Sequence, residues 1–100
     1  MPTFVLMSRL TPDSVHDARG RRAMGKEWLK RVKKLCPEVK FIAHYAILGP
    51  YDFMDIYDAP DGESAHRVSL ISRSEGAVSA ESWQALPYER FLTLLGEIQP

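Results

Sequence analysis

The residues in this sequence that could do chemistry are a histidine and an aspartate on either side of a predicted tight turn. His44 and Asp55 flank Gly49-Pro50, a dipeptide typical of a hairpin turn in which Gly49 adopts positive φ. If the loop has an even length centred there, His44 faces Asp55 across the hairpin. A neighbouring carboxylate orients an imidazole ring, as a general base or a metal-ligating histidine requires. Tyr57 follows on the same strand and adds a phenol.

Strand alternation divides the hairpin side chains between two faces of a sheet. The face predicted to pack under helices holds Phe41, Ala43, Tyr45, Ile47, Asp52, Met54, Ile56 and Asp58. The other holds Ile42, His44, Ala46, Phe53, Asp55 and Tyr57. On this second face, Ile42, His44, Phe53, Asp55 and Tyr57 are the candidate ligand-binding or interface residues, and His44, Asp55 and Tyr57 the candidate catalytic ones. A partly buried cross-strand pair that fixes the register or the dimer seam is the simpler interpretation of His44 and Asp55.

The elements that must position this pair follow a regular order along the chain. Strands are predicted over residues 3–10, 40–48, 52–59 and 77–86, and helices over 12–35, 60–74 and from 87 onward. Thr11 is the predicted N-cap of the first helix, with Pro12 as its first residue. Gly20 and Gly25 weaken the first half of this helix and favour a break or an irregular stretch.

A β-α-β-β-α-β order predicts an α+β fold of the ferredoxin-like type, in which both helices cover one face of a four-stranded antiparallel sheet. A short C-terminal helix follows, and we expect one domain over residues 1–100. The second sheet face is too apolar to face water, since it would expose Ile42, Phe53 and Tyr57, with either Phe4 and Leu6 or Val5 and Met7. The sequence therefore predicts a homodimer that pairs two such faces.

Composition excludes several classes of protein. The 100 residues carry 13 basic and 13 acidic side chains and one cysteine, Cys36, which excludes an intrachain disulfide and fits a cytoplasmic protein. No leader peptide, membrane span, phosphate loop, cofactor motif or metal-ligand set is recognisable, so no cofactor or metal is expected. We interpret Cys36 as a passive residue at a helix end, and His16, Asp17, His66 and Arg67 as surface residues.

The first helix is strongly basic. Nine of the thirteen basic residues lie between Arg19 and Lys40, which is compatible with binding to phosphates. However, Met24, Trp28, Val32 and Leu35 recur at helical spacing on one face, so this helix packs inward along that stripe. A solvated basic face is the simpler interpretation, and nucleic acid is not the expected partner.

The hairpin also carries a family resemblance. Gly49-Pro50-Tyr51-Asp52, an apolar strand and Asp58-Ala59-Pro60-Asp61 resemble the GYD domain family, as do the opening TFVLMSRLTPDSV and the late SEGAVSAESWQALPYERF. The resemblance extends from about Pro2 to Leu95 and departs from the motif by the inserted Pro50. It implies a small bacterial or archaeal protein of the dimeric ferredoxin-like barrel type, with no catalytic residues to transfer. We interpret the motif residues Gly49, Tyr51 and Asp52 as structural.

Three functions are compatible with these observations. The first is a non-catalytic dimeric module that binds a small molecule or another protein. The second is a small barrel enzyme, of the cofactor-independent monooxygenase or haem-dependent type, that uses His44 with Asp55 and Tyr57. The third is nucleic-acid binding through the basic helix. An enclosed cavity beside His44 would favour the second, whereas a sheet face filled by partner side chains would remove it.

Overall fold

The computed structural model describes residues 1–12 and 17–99. Its elements are β1 (Thr3–Leu10), α1 (Ala18–Leu35), β2 (Lys40–Ala46), β3 (Phe53–Asp58), α2 (Gly62–Ser74), β4 (Ala77–Ala85) and α3 (Tyr88–Ile98). This order is the predicted one, and the α+β fold class is confirmed. None of the helices in the described ranges is both long and apolar enough to cross a membrane.

The four strands form one antiparallel sheet in the order β2-β3-β1-β4. The first strand is therefore central, between β3 and β4, while β2 and β4 are the sheet edges. This is the strand order of the split βαβ arrangement. Because β2 and β3 are consecutive and adjacent, their hairpin register decides which residues meet at one edge of the sheet.

Helices α1 and α2 cover one face of the sheet and bury an aromatic core against it. Tyr57 is fully buried, with its ring centroid 5.6 Å from that of Phe4 and 5.5 Å from that of Phe41. Val32 of α1 and Val68 of α2 pack against this cluster. Large aromatic side chains contribute most of the apolar area that such a small domain can bury.

The start of α1 differs from the prediction. Asp17 is the N-cap, because its carboxylate accepts a hydrogen bond from the backbone N–H of Arg19 at 3.1 Å. The predicted N-cap at Thr11 is therefore wrong for this helix, and the stretch after Pro12 falls on residues 13–16, outside the described part of the chain. The predicted break is also wrong, since α1 runs without interruption through Gly20 and Gly25.

Two apolar surfaces remain on the outside. The first, which we call the open face, is the sheet face opposite α1 and α2. It carries Val5, Tyr45, Met54, Ile56 and Trp83, which strand pairing places side by side, together with Met7, which is only 8% exposed. The second surface is α3, which contains no buried residue and exposes most of its apolar side chains. In water, surfaces of this kind mark sites of association.

Candidate functional site

The β2–β3 hairpin has the predicted register. His44 pairs with Asp55, and the backbone N–H of Ile47 donates to the carbonyl of Asp52 at 2.9 Å. The loop is therefore even in length and spans residues 48–51. The predicted turn type is wrong, because Gly49 does not have positive φ. A four-residue loop closes the hairpin without the positive φ at Gly49 that a two-residue turn would require.

The pair predicted from this register is formed. The Nδ1 atom of His44 contacts the Oδ1 atom of Asp55 directly. The carboxylate side chain is 5% exposed and the imidazole 60%, so a buried acid orients an accessible ring. Burial raises the pKa of the Asp55 carboxyl, and the charge of His44 beside it offsets part of that rise.

The pair lies on the opposite face from the predicted one. Phe53, Asp55 and Tyr57 alternate onto the face covered by the helices, together with Phe4 and Leu6. Conversely Ala43, Tyr45, Met54 and Ile56 lie on the open face. The side chain of Tyr57 points towards the helices, since its hydroxyl donates to the carbonyl of Ala65 in α2 at 3.4 Å.

Phe41 lies under the helices as predicted, whereas Ala43 and Tyr45, predicted for the same face, do not, because a β-bulge is present at Ile42. Pairing shifts between Phe41 and Ala43, so that Phe41 lies opposite Tyr57 and Ala43 opposite Ile56. The extra residue breaks the alternation that the sequence argument assumed. Phe41 consequently packs under α1, where its ring meets Trp28 at 5.3 Å between centroids. Ile42 itself is unpaired in the ladder and is 56% exposed.

Tyr57 does not join the His44–Asp55 pair. The Tyr57 hydroxyl forms a hydrogen bond with Oγ of Ser82 at 2.7 Å, and Oγ of Ser82 forms another with Oγ of Ser69 at 2.8 Å. Burial raises the pKa of Tyr57 to about 12, so the phenol stays protonated at neutral pH. Nothing in the sequence pattern indicated these serine partners, which come from α2 and β4. Tyr57 is thus a core residue with its polar end satisfied.

The motif residues have structural contacts. The Oδ2 atom of Asp52 accepts a hydrogen bond from the backbone N–H of Leu10 at 2.7 Å, which fixes the end of β1 to the hairpin. Tyr51 donates to Glu81 at 2.8 Å and packs edge-on against Trp83, with ring centroids 5.8 Å apart. These contacts agree with the structural interpretation of the motif.

An enclosed cavity beside His44 would favour the enzyme, but the two spaces found there are both open to solvent. A cavity of about 50 Å³ lies between the sheet and the two helices, and a groove of about 440 Å³ opens between α1 and β2. Four residues line both: Arg21, Trp28, His44 and Asp55. Sequence reasoning missed Arg21 and Trp28 as site residues because only the packing of α1 against β2 brings them there.

The remaining candidates that lie within the described residues do not form a site. Within residues 1–12 and 17–99, no group of three or more histidine, cysteine, aspartate or glutamate side chains could hold a metal ion. Cys36 is fully buried, and burial followed by the charge of Glu38 raises the pKa of its thiol. His66 is exposed on α2, and His16 lies outside the described residues.

Comparison with known proteins gives one family and one fold. The family model described as GYD domain matches residues 4–95. A protein of Thermus thermophilus, named glutamine synthetase and cystathionine beta-lyase binding protein, is 34% identical over 93 residues, covering 87% of this chain and 90% of its own length. The resemblance to the GYD domain family that the sequence carried is therefore confirmed.

Two solved structures share the fold. One, also from Thermus thermophilus, superposes with a TM-score of 0.60 at 22% identity and covers 87% of this chain and 95% of its own. The other, a protein designated FFRP, superposes with a TM-score of 0.57 at 16% identity and covers 86% of this chain and all (100%) of its own. At this identity the likeness concerns the fold alone.

Proposed function

This chain belongs to the GYD domain family, and from that premise we propose that it is a non-catalytic protein-interaction module that works as a homodimer. The dimer forms through the open face, and the assembled pair binds other proteins. The enzyme alternative has weaker support, because Tyr57 is turned away from His44 and Asp55 and hydrogen-bonds elsewhere.

The observation that carries this proposal is the apolar character of the open face. At its centre, Val5 lies between Ile56 and Trp83 on neighbouring strands, and Met7 lies beside Met54. The side chains of Tyr45 and Trp83 are about half exposed, at 55% and 46%. A second copy placed on this face would bury aromatic and aliphatic residues, which are the types that dominate stable interfaces.

Helix α3 extends the apolar surface offered to the second copy. It exposes Tyr88, Phe91, Leu92, Leu94 and Ile98, between 36% and 79% each. Its apolar and polar residues separate onto different sides of the helix, as in helices that pack against a partner. A helix of this length is marginal in isolation, so contact with the second copy would stabilise it.

Binding to other proteins is supported by the name of the Thermus thermophilus relative, which states that it binds glutamine synthetase and cystathionine beta-lyase. The sequence match covers nearly all of both chains, so the segments that form the relative's surfaces have aligned counterparts here. We expect this chain to bind at least one of the same two enzymes from its own organism.

The dimer is tested with two substitutions matched for exposure. Tyr45→Lys places a charge on the open face, whereas Leu70→Lys places one on the outer side of α2; the replaced side chains are 55% and 50% exposed. We expect Tyr45→Lys to weaken the dimer by about 2 kcal/mol, or roughly thirtyfold in Kd. Analytical ultracentrifugation measures both variants. A monomeric unsubstituted chain, or equal losses in the two variants, would contradict this dimer.

Partner binding is tested with purified enzymes. Immobilised glutamine synthetase and cystathionine beta-lyase are titrated with the unsubstituted chain and with Tyr45→Lys, and binding is followed by biolayer interferometry. We expect saturable binding of the unsubstituted chain and weaker binding of the variant, because the binding species is the dimer. If neither enzyme binds, the protein-interaction assignment is wrong.

A further inference from the structure

The groove between α1 and β2 has the size and shape of a small-molecule site. Its volume of about 440 Å³ falls in the range of ligand-binding clefts. Arg21, Trp28, His44 and Asp55 also line a smaller space of about 50 Å³ beneath the helices, which has room for only a few water-sized groups. A ligand would therefore place a small end inward and a larger part in the outer groove.

The outer groove offers an apolar wall that is already rigid. Phe41 and Leu29 line it, and the bulged Ile42 lies at its rim. The indole of Trp28 is fixed by a hydrogen bond from its Nε1 to Oγ of Ser72 at 2.8 Å and by edge contact with Phe41. Side chains that are ordered before binding lose little entropy when a ligand arrives.

Arg21, at the narrow end of the groove, is a cation that no carboxylate pairs among the described residues. Among the described residues, the side chain of Arg21 forms neither an ion pair nor a hydrogen bond; its guanidinium lies 5.4 Å from the ring centroid of Phe53. Both nearby carboxylates already have partners, since Asp55 contacts His44 and Glu75 contacts Arg31 at 2.6 Å. The free cation therefore favours an anionic group at this end of the groove.

His44 adds a second polar contact beside Arg21. Its ring stacks on Phe53, with centroids 5.2 Å apart, so both side chains contact the same aromatic ring. Asp55 occupies Nδ1, and within the described residues Nε2 has no hydrogen-bond partner. In the protonated ring both nitrogens are donors, so Nε2 can then donate to a bound anion. Lys26 lines the outer groove and adds positive charge there. Charged donors held beside an apolar groove are a common way in which proteins bind a carboxylate with an apolar tail.

We propose that this groove binds a small amphipathic carboxylate, with its carboxylate at Arg21 and His44 and its apolar tail along Phe41, Leu29 and Ile42. The apolar wall favours an amphipathic carboxylate over inorganic phosphate, which has no apolar part to lie along it. The site lies on the other side of the sheet from the proposed dimer interface, so neither proposal depends on the other.

Substitutions on α1 test the site with a control from the same helix. Arg21→Gln removes the cation, while Arg22→Gln removes the exposed neighbouring charge, which does not line the groove. Gly25→Leu fills the groove from its helical wall, where an added Cβ would lie 3.6 Å from Nη2 of Arg21. Leucine also favours helix more than glycine does, so the last variant is expected to fold.

Binding is measured by titrating the isotope-labelled full chain with octanoate and 3-phenylpropionate and following the backbone amide signals by NMR. We expect saturable shifts in α1 and β2, a loss of affinity of about tenfold in Arg21→Gln, and no binding to Gly25→Leu. Arg22→Gln should match the unsubstituted chain.

Three binding results would overturn the proposed site as a whole. They are the absence of saturable binding of either acid, equal losses in Arg21→Gln and Arg22→Gln, or binding of the corresponding primary amides with unchanged affinity. Equally tight binding of inorganic phosphate would reject the assignment to carboxylates. Sedimentation of the same samples reports the dimer separately, so that failure of the groove and failure of the dimer remain distinguishable.

Discussion

Replacing Asp52 tests whether the named motif acts through the fold. The Oδ2 atom of this residue accepts the backbone N–H of Leu10 at 2.7 Å, at the point where the pairing of β1 with β4 shifts register between Arg9 and Leu10. Asp52→Ala removes the acceptor and leaves that amide without its partner in a half-buried position. The backbone hydrogen bonds of Asp52 to Ser8 and Ile47 do not involve the removed side chain.

The expected loss follows from the type of hydrogen bond. A bond to a charged acceptor contributes about 1.5–3 kcal/mol, so Asp52→Ala should lower the free energy of unfolding by about 2 kcal/mol. For a domain of this size that corresponds to roughly 8–16 °C in Tm. Asp52→Asn keeps a neutral acceptor and should lose about half as much.

Urea unfolding followed by circular dichroism measures these losses at one fixed protein concentration, because dimer formation would make stability depend on concentration. Glu97→Ala is the control, since Glu97 is exposed on α3 and forms no hydrogen bond or ion pair through its side chain within the described residues. A loss below about 0.5 kcal/mol in Asp52→Ala, with loss of partner or ligand binding, would refute the structural interpretation of the motif.

Three further predictions concern single residues. Cys36 should react with a thiol reagent only when urea unfolds the chain, because it is buried and burial raises its pKa; rapid labelling of the native protein would contradict this. Gly25→Ala should raise the free energy of unfolding by about 0.5–1 kcal/mol. Gly20→Ala should raise it by less, because the added Cβ would lie 3.0 Å from Oδ2 of the N-cap Asp17. Equal increases in the two variants, measured by urea unfolding, would exclude an effect of this close contact. Burial raises the pKa of Asp55, so the ionised carboxylate lowers the stability of the folded chain. This stability is recovered when the carboxylate is protonated, as the pH falls through that pKa. Lowering the pH from about 7 to about 4 should therefore stabilise the unsubstituted chain relative to Asp55→Asn. Unfolding curves of both proteins at the two pH values show whether the stability difference changes in this direction.

The hairpin was predictable because its information is local. Gly49-Pro50 marks the centre of an even loop, and pairing outward from it brings His44 opposite Asp55 regardless of whether the loop has two residues or more. The predicted order of strands and helices is confirmed for the same reason, since turn residues and apolar periodicity are properties of short segments.

The choice of sheet face was not predictable from this pattern. Each hairpin face carries aromatic and aliphatic residues, so alternation alone defines two sets without deciding which one the helices cover. Packing decides it, because Tyr57 stacks with Phe4 and Phe41 under α2. The bulge at Ile42 moves Phe41 into that set, and no residue in the segment signals an insertion. The groove depends on the same tertiary packing, which brings Arg21 of α1 beside β2.

The corrected assignment changes how the two proposals relate. Met54 and Asp55 are consecutive in β3, so alternation directs the first towards the proposed dimer interface and the second towards His44. Under the predicted assignment, the second copy would have covered His44, so ligand binding would have depended on whether partner side chains filled the space beside it. With the faces exchanged, one sheet can serve both at once: Tyr45→Lys should weaken the dimer without changing carboxylate affinity, and Arg21→Gln should do the reverse.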